Sequence, residues 1–127
     1  MVKYFTNTFL ATKVSFANEM KLICECLEIN YEKVVEYSKY DTRLGESHWS
    51  VPGPDGHYGF GGSCFPKDVM ALAKTSKEYD YDFKVLDSVM EVNHRQKTIL
   101  FPRIQQYFNN DLVGKKIALW GLAFKPN

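Results

Sequence analysis

A glycine-rich segment brings one cysteine to the start of a predicted helix. Residues 59–68 read Gly-Phe-Gly-Gly-Ser-Cys-Phe-Pro-Lys-Asp. Pro66 favours the first helical position, because its missing N–H has no partner there. Cys64 is therefore expected beside the unpaired N–H groups and the positive dipole end of that helix, with Lys67 close behind. A lone cysteine is ordinarily a small buried residue, but these surroundings favour a thiolate nucleophile.

Polar residues elsewhere in the chain are candidates to complete a site around this cysteine. Lys3 and Asn7 are one helical turn apart and share a face. Asp68 falls in the first turn of the predicted helix, and Arg43 has a planar fork of donors suited to a phosphate. The simpler alternatives are a solvated helix end for Lys3 and Asn7, dipole stabilisation for Asp68 and a solvated loop arginine.

Hydrophobic periodicity predicts a mainly α-helical chain. Asn30 is expected to end the first helix and cap the second, and Pro102 to kink or divide the last. The segment 41–65 holds six glycines and two prolines and reads as a long loop of the kind that is often functional. The predicted helices are 3–29, 31–40, 66–79 and 82–109, and residues 116–121 read as a buried strand.

The first predicted helix has an unusually wide apolar surface. We expect one face to be the core face and a flanking row to need cover from this chain or from a second copy. The core face is predicted at Leu10, Val14, Ala17, Cys24 and Leu27, and the flanking row at Phe9, Phe16 and Ile23.

Composition limits the class of protein. The 127 residues carry a net charge of +1 and 45% apolar residues, which predicts a globular domain without a nucleic-acid partner. No apolar run approaches the roughly 18 residues that cross a bilayer, and we predict no membrane association. Three cysteines make a poor disulfide framework, so a cytoplasmic setting is expected. The scattered histidines, His48, His57 and His94, predict no metal site.

The segment 59–68 resembles the active-site cysteine motif of the UDP-glucose 6-dehydrogenases, in the UDP-glucose/GDP-mannose dehydrogenase family. Residues 2–11 resemble the lysine and asparagine helix of that family, and residues 41–45 resemble its arginine loop. Residues 121–126 resemble the opening of its C-terminal domain. These four matches occur in the order that the family has.

The resemblance implies a helical central dimerisation domain, similar to the C-terminal helical domain of 6-phosphogluconate dehydrogenase. We expect that domain at residues 1–110, and at 111–127 the start of a truncated Rossmann-like domain that binds the nucleotide sugar. A homodimer through the helix 3–29 is implied. The cofactor, NAD, is expected mainly on a domain absent from this chain, since no Gly-x-Gly-x-x-Gly fingerprint occurs. Both ends read as cut, which predicts an excised piece.

The implied reaction is the oxidation of UDP-glucose to UDP-glucuronate in two steps, through a thiohemiacetal and a thioester on Cys64. Lys3 and Asn7 are expected to steady the charge that develops on oxygen. Asp68 is expected to organise water and proton transfers. The resemblance also implies contacts to the nucleotide sugar from Arg43, Phe60, Gly61, Phe124 and Lys125, and a contact to the cofactor from Lys67.

Three other readings remain open at this stage. GDP-mannose 6-dehydrogenase would use the same chemistry on another nucleotide. A helical dimerisation module without catalysis would have an inert thiol, and a redox sensor would use the cysteine differently. For the main interpretation we expect the 127-residue chain alone to reduce no NAD, because its cofactor domain is missing.

Overall fold

A long helix, Val2–Cys26 (α1), is the element on which three of the other helices pack. The computed structural model of the chain describes residues 1–119. Helix α1 contacts α2, α3 and α4, and α3 also contacts α4. The prediction of a mainly helical fold is confirmed. The further helices are Tyr31–Ser38 (α2), Phe65–Glu78 (α3), Lys84–Lys97 (α4) and Leu100–Tyr107 (α5).

The helix boundaries follow the expected local signals closely. The Asn30 side chain caps α2, accepting a hydrogen bond from the Lys33 N–H at 2.8 Å. Helix α1 ends at Cys26, three residues before the predicted end. The predicted helix 82–109 is divided, since α4 ends at Lys97 and α5 begins at Leu100. The division comes just before Pro102, because proline fits the first turn of a new helix better than the interior of an old one.

The predicted strand at 116–121 is not formed where the structure describes it. Residues 116–119 have no regular secondary structure, and Trp120 and Gly121 lie outside the described residues. A strand needs a neighbour that takes up its backbone hydrogen bonds. No strand occurs anywhere in residues 1–119 that could serve as that neighbour.

The buried face of α1 differs from the predicted one. Thr8, Ala11, Ser15 and Asn18 form the inner stripe, at spacings of three and four residues. Of the predicted core face, Ala17 and Cys24 are buried, Leu10 and Val14 are half-buried, and Leu27 is exposed. Small residues occupy most of this face, because they allow α3 and α4 to pack close to the backbone of α1. The flanking row, Phe9, Phe16 and Ile23, is exposed.

Two apolar clusters share α1 as a common wall. The first joins α1 and the glycine segment to α3 and α4, and includes Ala11, Phe60, Val69 and Leu86. The second joins α1 to α2 and the loop around Val51. The first cluster places the cysteine segment against α1. Within residues 1–119, none of the helices is long and apolar enough to cross a membrane.

Candidate active site

Cys64 is the N-cap residue of α3, and its side chain is exposed. Its thiol makes no capping hydrogen bond to the helix, and the residue lies at the positive end of the helix dipole. The Cys64 carbonyl accepts the first backbone bond of the helix, from the Asp68 N–H at 2.9 Å. The predicted position of the cysteine is therefore confirmed.

Lys3 and Asn7 reach from α1 to one carboxylate on α3. Asn7 Nδ2 donates to Asp68 Oδ2 at 2.6 Å, and Lys3 Nζ lies 3.2 Å from the same oxygen. The Asp68 side chain is 2% exposed, whereas that of Lys3 is 61% exposed. The structure thus brings together three of the predicted residues, Lys3, Asn7 and Asp68. Stabilisation by the dipole of its own helix does not fully describe Asp68, because its side-chain partners come from another helix.

The charge state of Asp68 follows from these contacts. The hydrogen bond from Asn7 is the main cause that lowers the pKa of the Asp68 carboxyl, and the Lys3 ammonium lowers it further. Asp68 is therefore a carboxylate at neutral pH. Asp68 follows the N-cap residue Cys64 by four residues, and the backbone bond between them places the carboxylate one helical turn from the cysteine.

Lys67 adds a second cation beside this carboxylate. Its Nζ lies 4.0 Å from Asp68 Oδ1, and its side chain is 66% exposed. The position leaves the ammonium available to an anionic group outside the chain. Within residues 1–119, no group of three or more histidine, cysteine, aspartate or glutamate side chains is placed to hold a metal ion.

The glycine segment forms one wall of a pocket of about 340 Å³. Phe60 and Gly61 line it, together with Lys97 and Leu100 at the junction of α4 and α5. The Phe60 ring is largely buried in the first apolar cluster, whereas a Cβ at Gly61 would meet no atom within 4 Å. Gln96 also lines this pocket, and its buried Oε1 has no hydrogen-bond partner among the described residues.

Two buried amides that the sequence reasoning missed hold this segment. Asn18 accepts from the Gly59 N–H, and Asn93 bonds both backbone groups of Phe60. No sequence signal marks them as a pair, because they lie 75 residues apart on different helices. An asparagine within a helical pattern that otherwise reads as a core face would have been the one available sign.

Arg43 pairs with a carboxylate of its own loop and not with the group of Lys3, Asn7 and Asp68, which we call the carboxylate cluster. Its guanidinium pairs with Asp41, with Nε 2.9 Å from Oδ1, and its side chain is 87% exposed. No hydrogen bond or ion pair joins it to Asp68 within the described residues. The loop is anchored to α1, since Lys13 Nζ donates to the Leu44 carbonyl at 2.7 Å and stacks over the Trp49 ring. Phe124 and Lys125 lie outside the described residues.

Comparison with known proteins supplies the family. A family model described as the UDP-glucose/GDP-mannose dehydrogenase family, central domain, matches residues 1–95. The chain is 44% identical over 124 residues to the UDP-glucose 6-dehydrogenase of Pseudomonas aeruginosa, covering 98% of this chain and 26% of that protein. It is 42% identical over 127 residues to UDP-glucose 6-dehydrogenase YwqF of Bacillus subtilis, covering 100% of this chain and 28% of that protein.

A solved structure agrees with these sequence matches. The fold resembles that of a UDP-glucose dehydrogenase from the hyperthermophilic archaeon Pyrobaculum islandicum, with a TM-score of 0.76 and 31% identity, over 85% of this chain and 24% of that one. The chain spans about a quarter of the length of the curated relatives it matches. By the match to its central domain over residues 1–95, the chain belongs to the UDP-glucose/GDP-mannose dehydrogenase family.

Proposed function

We propose that the intact protein is an NAD-dependent UDP-glucose 6-dehydrogenase and that this chain supplies its covalent nucleophile. The observation that carries the proposal is the convergence of Lys3 and Asn7 on Asp68, one helical turn from the exposed Cys64. A site with a thiol, a cation and a fixed amide suits the capture of an aldehyde. The three free cysteines support a reducing, cytoplasmic setting.

Cys64 acts on the aldehyde that the first oxidation produces. Its thiolate forms a C–S bond with the aldehyde carbon, and the carbonyl π pair moves onto oxygen, giving a thiohemiacetal. Loss of a hydride from the anion of this thiohemiacetal leaves a thioester, which water hydrolyses to the carboxylate and the free thiolate with release of two protons to solvent. NAD, bound mainly outside this chain, supplies the acceptor for both hydrides. The exposed ammonium of Lys67 fits a contact with an anionic part of that cofactor.

Lys3 and Asn7 stabilise the negative charge on the sugar oxygen. An ammonium has three donors, and contact with Asp68 leaves the largely exposed Lys3 head with donors to spare. The Asn7 amide is fixed by its short bond to Asp68. Donors that are already oriented stabilise a developing oxyanion without reorganisation.

Asp68 is the anchor of these two groups. Its lowered pKa makes the carboxylate a weak base, so its main contribution is to hold Lys3 and Asn7 in place and to orient the hydrolytic water. The open space over Gly61 accommodates the sugar, where a side chain would collide with it. The pocket beside Phe60 is lined by none of Cys64, Lys3, Asn7 and Asp68, so we assign it to a part of the nucleotide sugar away from the reacting carbon.

The test of the function is an assay of the intact protein. We expect reduction of two NAD for each UDP-glucose consumed, with the uronate as product. GDP-mannose, assayed beside it at equal concentration, is the matched control, and we expect a kcat/KM at least about a hundredfold lower for it. Faster turnover of GDP-mannose would assign the alternative substrate, and no NAD reduction with either sugar would favour a dimerisation module.

A homodimer through α1 is the second part of the proposal. Phe9, Phe16 and Ile23 recur every seven residues and are 62%, 56% and 47% exposed. Large apolar residues at this spacing form a stripe that suits packing against a second helix. In that dimer, Arg43 serves the nucleotide sugar bound by the neighbouring copy. Its largely exposed guanidinium, which is paired with Asp41 and not with Asp68, supports a role outside its own subunit.

Mixed dimers test both the dimer and the role of Arg43. We expect Arg43→Ala and Cys64→Ser each to be nearly inactive alone. Co-expressed, they should recover about a quarter of the wild-type rate, because half of the dimers are mixed and each has one intact site. Co-expression of Cys64→Ser with Asp68→Asn is the control. Both residues serve the site of their own subunit, so each of the two sites in a mixed dimer carries one damaging change. If the first pair stays inactive while a mixed dimer is isolated, Arg43 does not act across the interface.

A further inference from the structure

The glycine segment is held between α1 and α4 by two asparagine side chains, which we call the amide clamp (Asn18 and Asn93). Asn93 Oδ1 accepts from the Phe60 N–H at 2.7 Å, and Asn93 Nδ2 donates to the Phe60 carbonyl at 3.0 Å. Asn18 Oδ1 accepts from the Gly59 N–H at 3.1 Å, while its Nδ2 donates to the Val14 carbonyl at 2.8 Å. Both helices therefore grip adjacent residues of one loop.

The amide clamp replaces the partner that a strand would have. A buried loop has no ladder to satisfy its N–H and C=O groups, and each unsatisfied group is costly. Asn93 offers a donor and an acceptor to one residue, as a paired strand does. Both amides are nearly fully buried, with 2% of Asn18 and 5% of Asn93 exposed. Their hydrogen bonds are thus made away from competing water, which strengthens them.

Gly59 shows how closely the loop and the clamp fit. Its φ is +73°, and a Cβ added there would lie 2.3 Å from Asn93 Oδ1. A glycine is required on both counts, because other residues rarely adopt this φ and the carbon would overlap the amide oxygen. The backbone of Gly59 therefore packs directly against the Asn93 amide, with no room for a side chain between them.

The position of the sulfur depends on this grip. Cys64 is fixed on one side by the start of α3 and on the other by the clamped Phe60. The Phe60 ring also packs edge-to-face on Phe65, with centroids 6.2 Å apart. Between Phe60 and Cys64 lie only Gly61, Gly62 and Ser63, and glycines add freedom that the clamp must remove.

We propose that Asn93 and Asn18 are positioning residues, which set the location of the Cys64 sulfur by clamping Gly59 and Phe60. The inference rests on the proposed function of Cys64. It does not depend on which nucleotide sugar is bound. Misplacing a reacting group by about 1 Å costs about a hundredfold in rate, so loss of the clamp is expected to slow chemistry more than binding.

The experiment compares Asn93→Ala with Ser15→Ala in the intact protein. Ser15 is the matched control, because it is buried and also bonds α1 to α4, through the Val89 carbonyl at 3.3 Å, without touching the loop. For Asn93→Ala we expect kcat to fall about a hundredfold, by a larger factor than KM rises. Hydrogen exchange at residues 59–60, measured by mass spectrometry, should become at least about tenfold faster. Ser15→Ala should change neither.

A second variant keeps the inference falsifiable if Asn93→Ala does not fold. Asn18→Ala removes one bond to the loop instead of two, and we expect a smaller loss of kcat, about tenfold. An unchanged kcat in a folded variant, or an equal loss in Ser15→Ala, would overturn the positioning role. If wild-type protein itself shows no dehydrogenase activity, the proposed function fails. The exchange rates and the rate of Cys64 alkylation still test the clamp in that case, since neither needs a substrate.

Discussion

Replacing Cys64 by serine in the intact enzyme is expected to lower the rate of uronate formation by at least about a thousandfold. A serine hydroxyl is not ionised at neutral pH and is a much weaker nucleophile than a thiolate, so the covalent aldehyde adduct would not form. The measurement is steady-state production of the acid from UDP-glucose and NAD, by direct analysis of product. The exposed position of the thiol, free of any capping bond, is the basis of this expectation.

The same change at another exposed thiol is the matched control. Cys26→Ser alters an exposed cysteine at the last residue of α1, and we expect wild-type rates. Uronate formation at the normal rate by Cys64→Ser would contradict the nucleophile. It would leave the dimerisation module or the redox sensor as the function of this segment, and a redox sensor would then show a loss of response to oxidants in the serine variant.

Replacing Asp68 by asparagine is expected to lower kcat by about a hundredfold or more. The variant keeps the shape of the side chain and loses the charge that holds the Lys3 ammonium at 3.2 Å. It also sets an amide against the Asn7 amide, which donates to the carboxylate at 2.6 Å in the native structure. The two donors that we propose for the oxyanion, Lys3 and Asn7, would lose their orientation together, so kcat should fall more than KM rises. Steady-state kinetics over a range of UDP-glucose concentrations measures the split.

Asp87→Asn is the control for this change. That carboxylate belongs to α4 and lies 3.8 Å from Lys77 in an exposed pair, which contributes little to stability. We expect its kinetics to match the wild type. A loss of rate in Asp87→Asn equal to that in Asp68→Asn would show that the effect is a general one of surface charge and not of the cluster.

The pH dependence of stability has a definite sign at Asp68. The pKa of its carboxyl is lowered from 3.8, first by the bond from Asn7 and then by Lys3. Above pH 3.8 the ionised carboxylate therefore stabilises the native state relative to the unfolded state. This stabilisation is lost as the pH falls through the lowered pKa of Asp68. The free energy of unfolding of wild type and Asp68→Asn, from urea titrations, should differ at pH 7, and the difference should shrink as the pH falls below about 4. A constant difference across this range would contradict the assignment.

Much of the site could be predicted because its signals are local. Pro66 and the glycines mark the start of α3, and the spacing of Lys3 and Asn7 places both on one side of α1. The Asn30 cap is equally local. Contacts between distant segments were out of reach, since nothing in the sequence brings Asn18 to residue 59 or Asn93 to residue 60. The core face of α1 was assigned only in part, since Ala17 and Cys24 are buried as predicted but Leu27 is exposed. Periodicity ranks residues by hydrophobicity, whereas close packing against two helices selected Thr8, Ala11 and Ser15.

The cysteine segment 59–68 is far along the chain from Lys3 and Asn7, the residues that contact its Asp68. Removed from this protein, the segment would lack both of them. Lys3 and Asn7 are 65 and 61 residues from Asp68. A synthetic decapeptide copied from positions 59–68, or the same ten letters grafted onto a foreign scaffold, would carry a thiol without its ammonium and amide. Recognition of the reaction in other genomes therefore requires the upstream lysine and asparagine as well, at an appropriate separation.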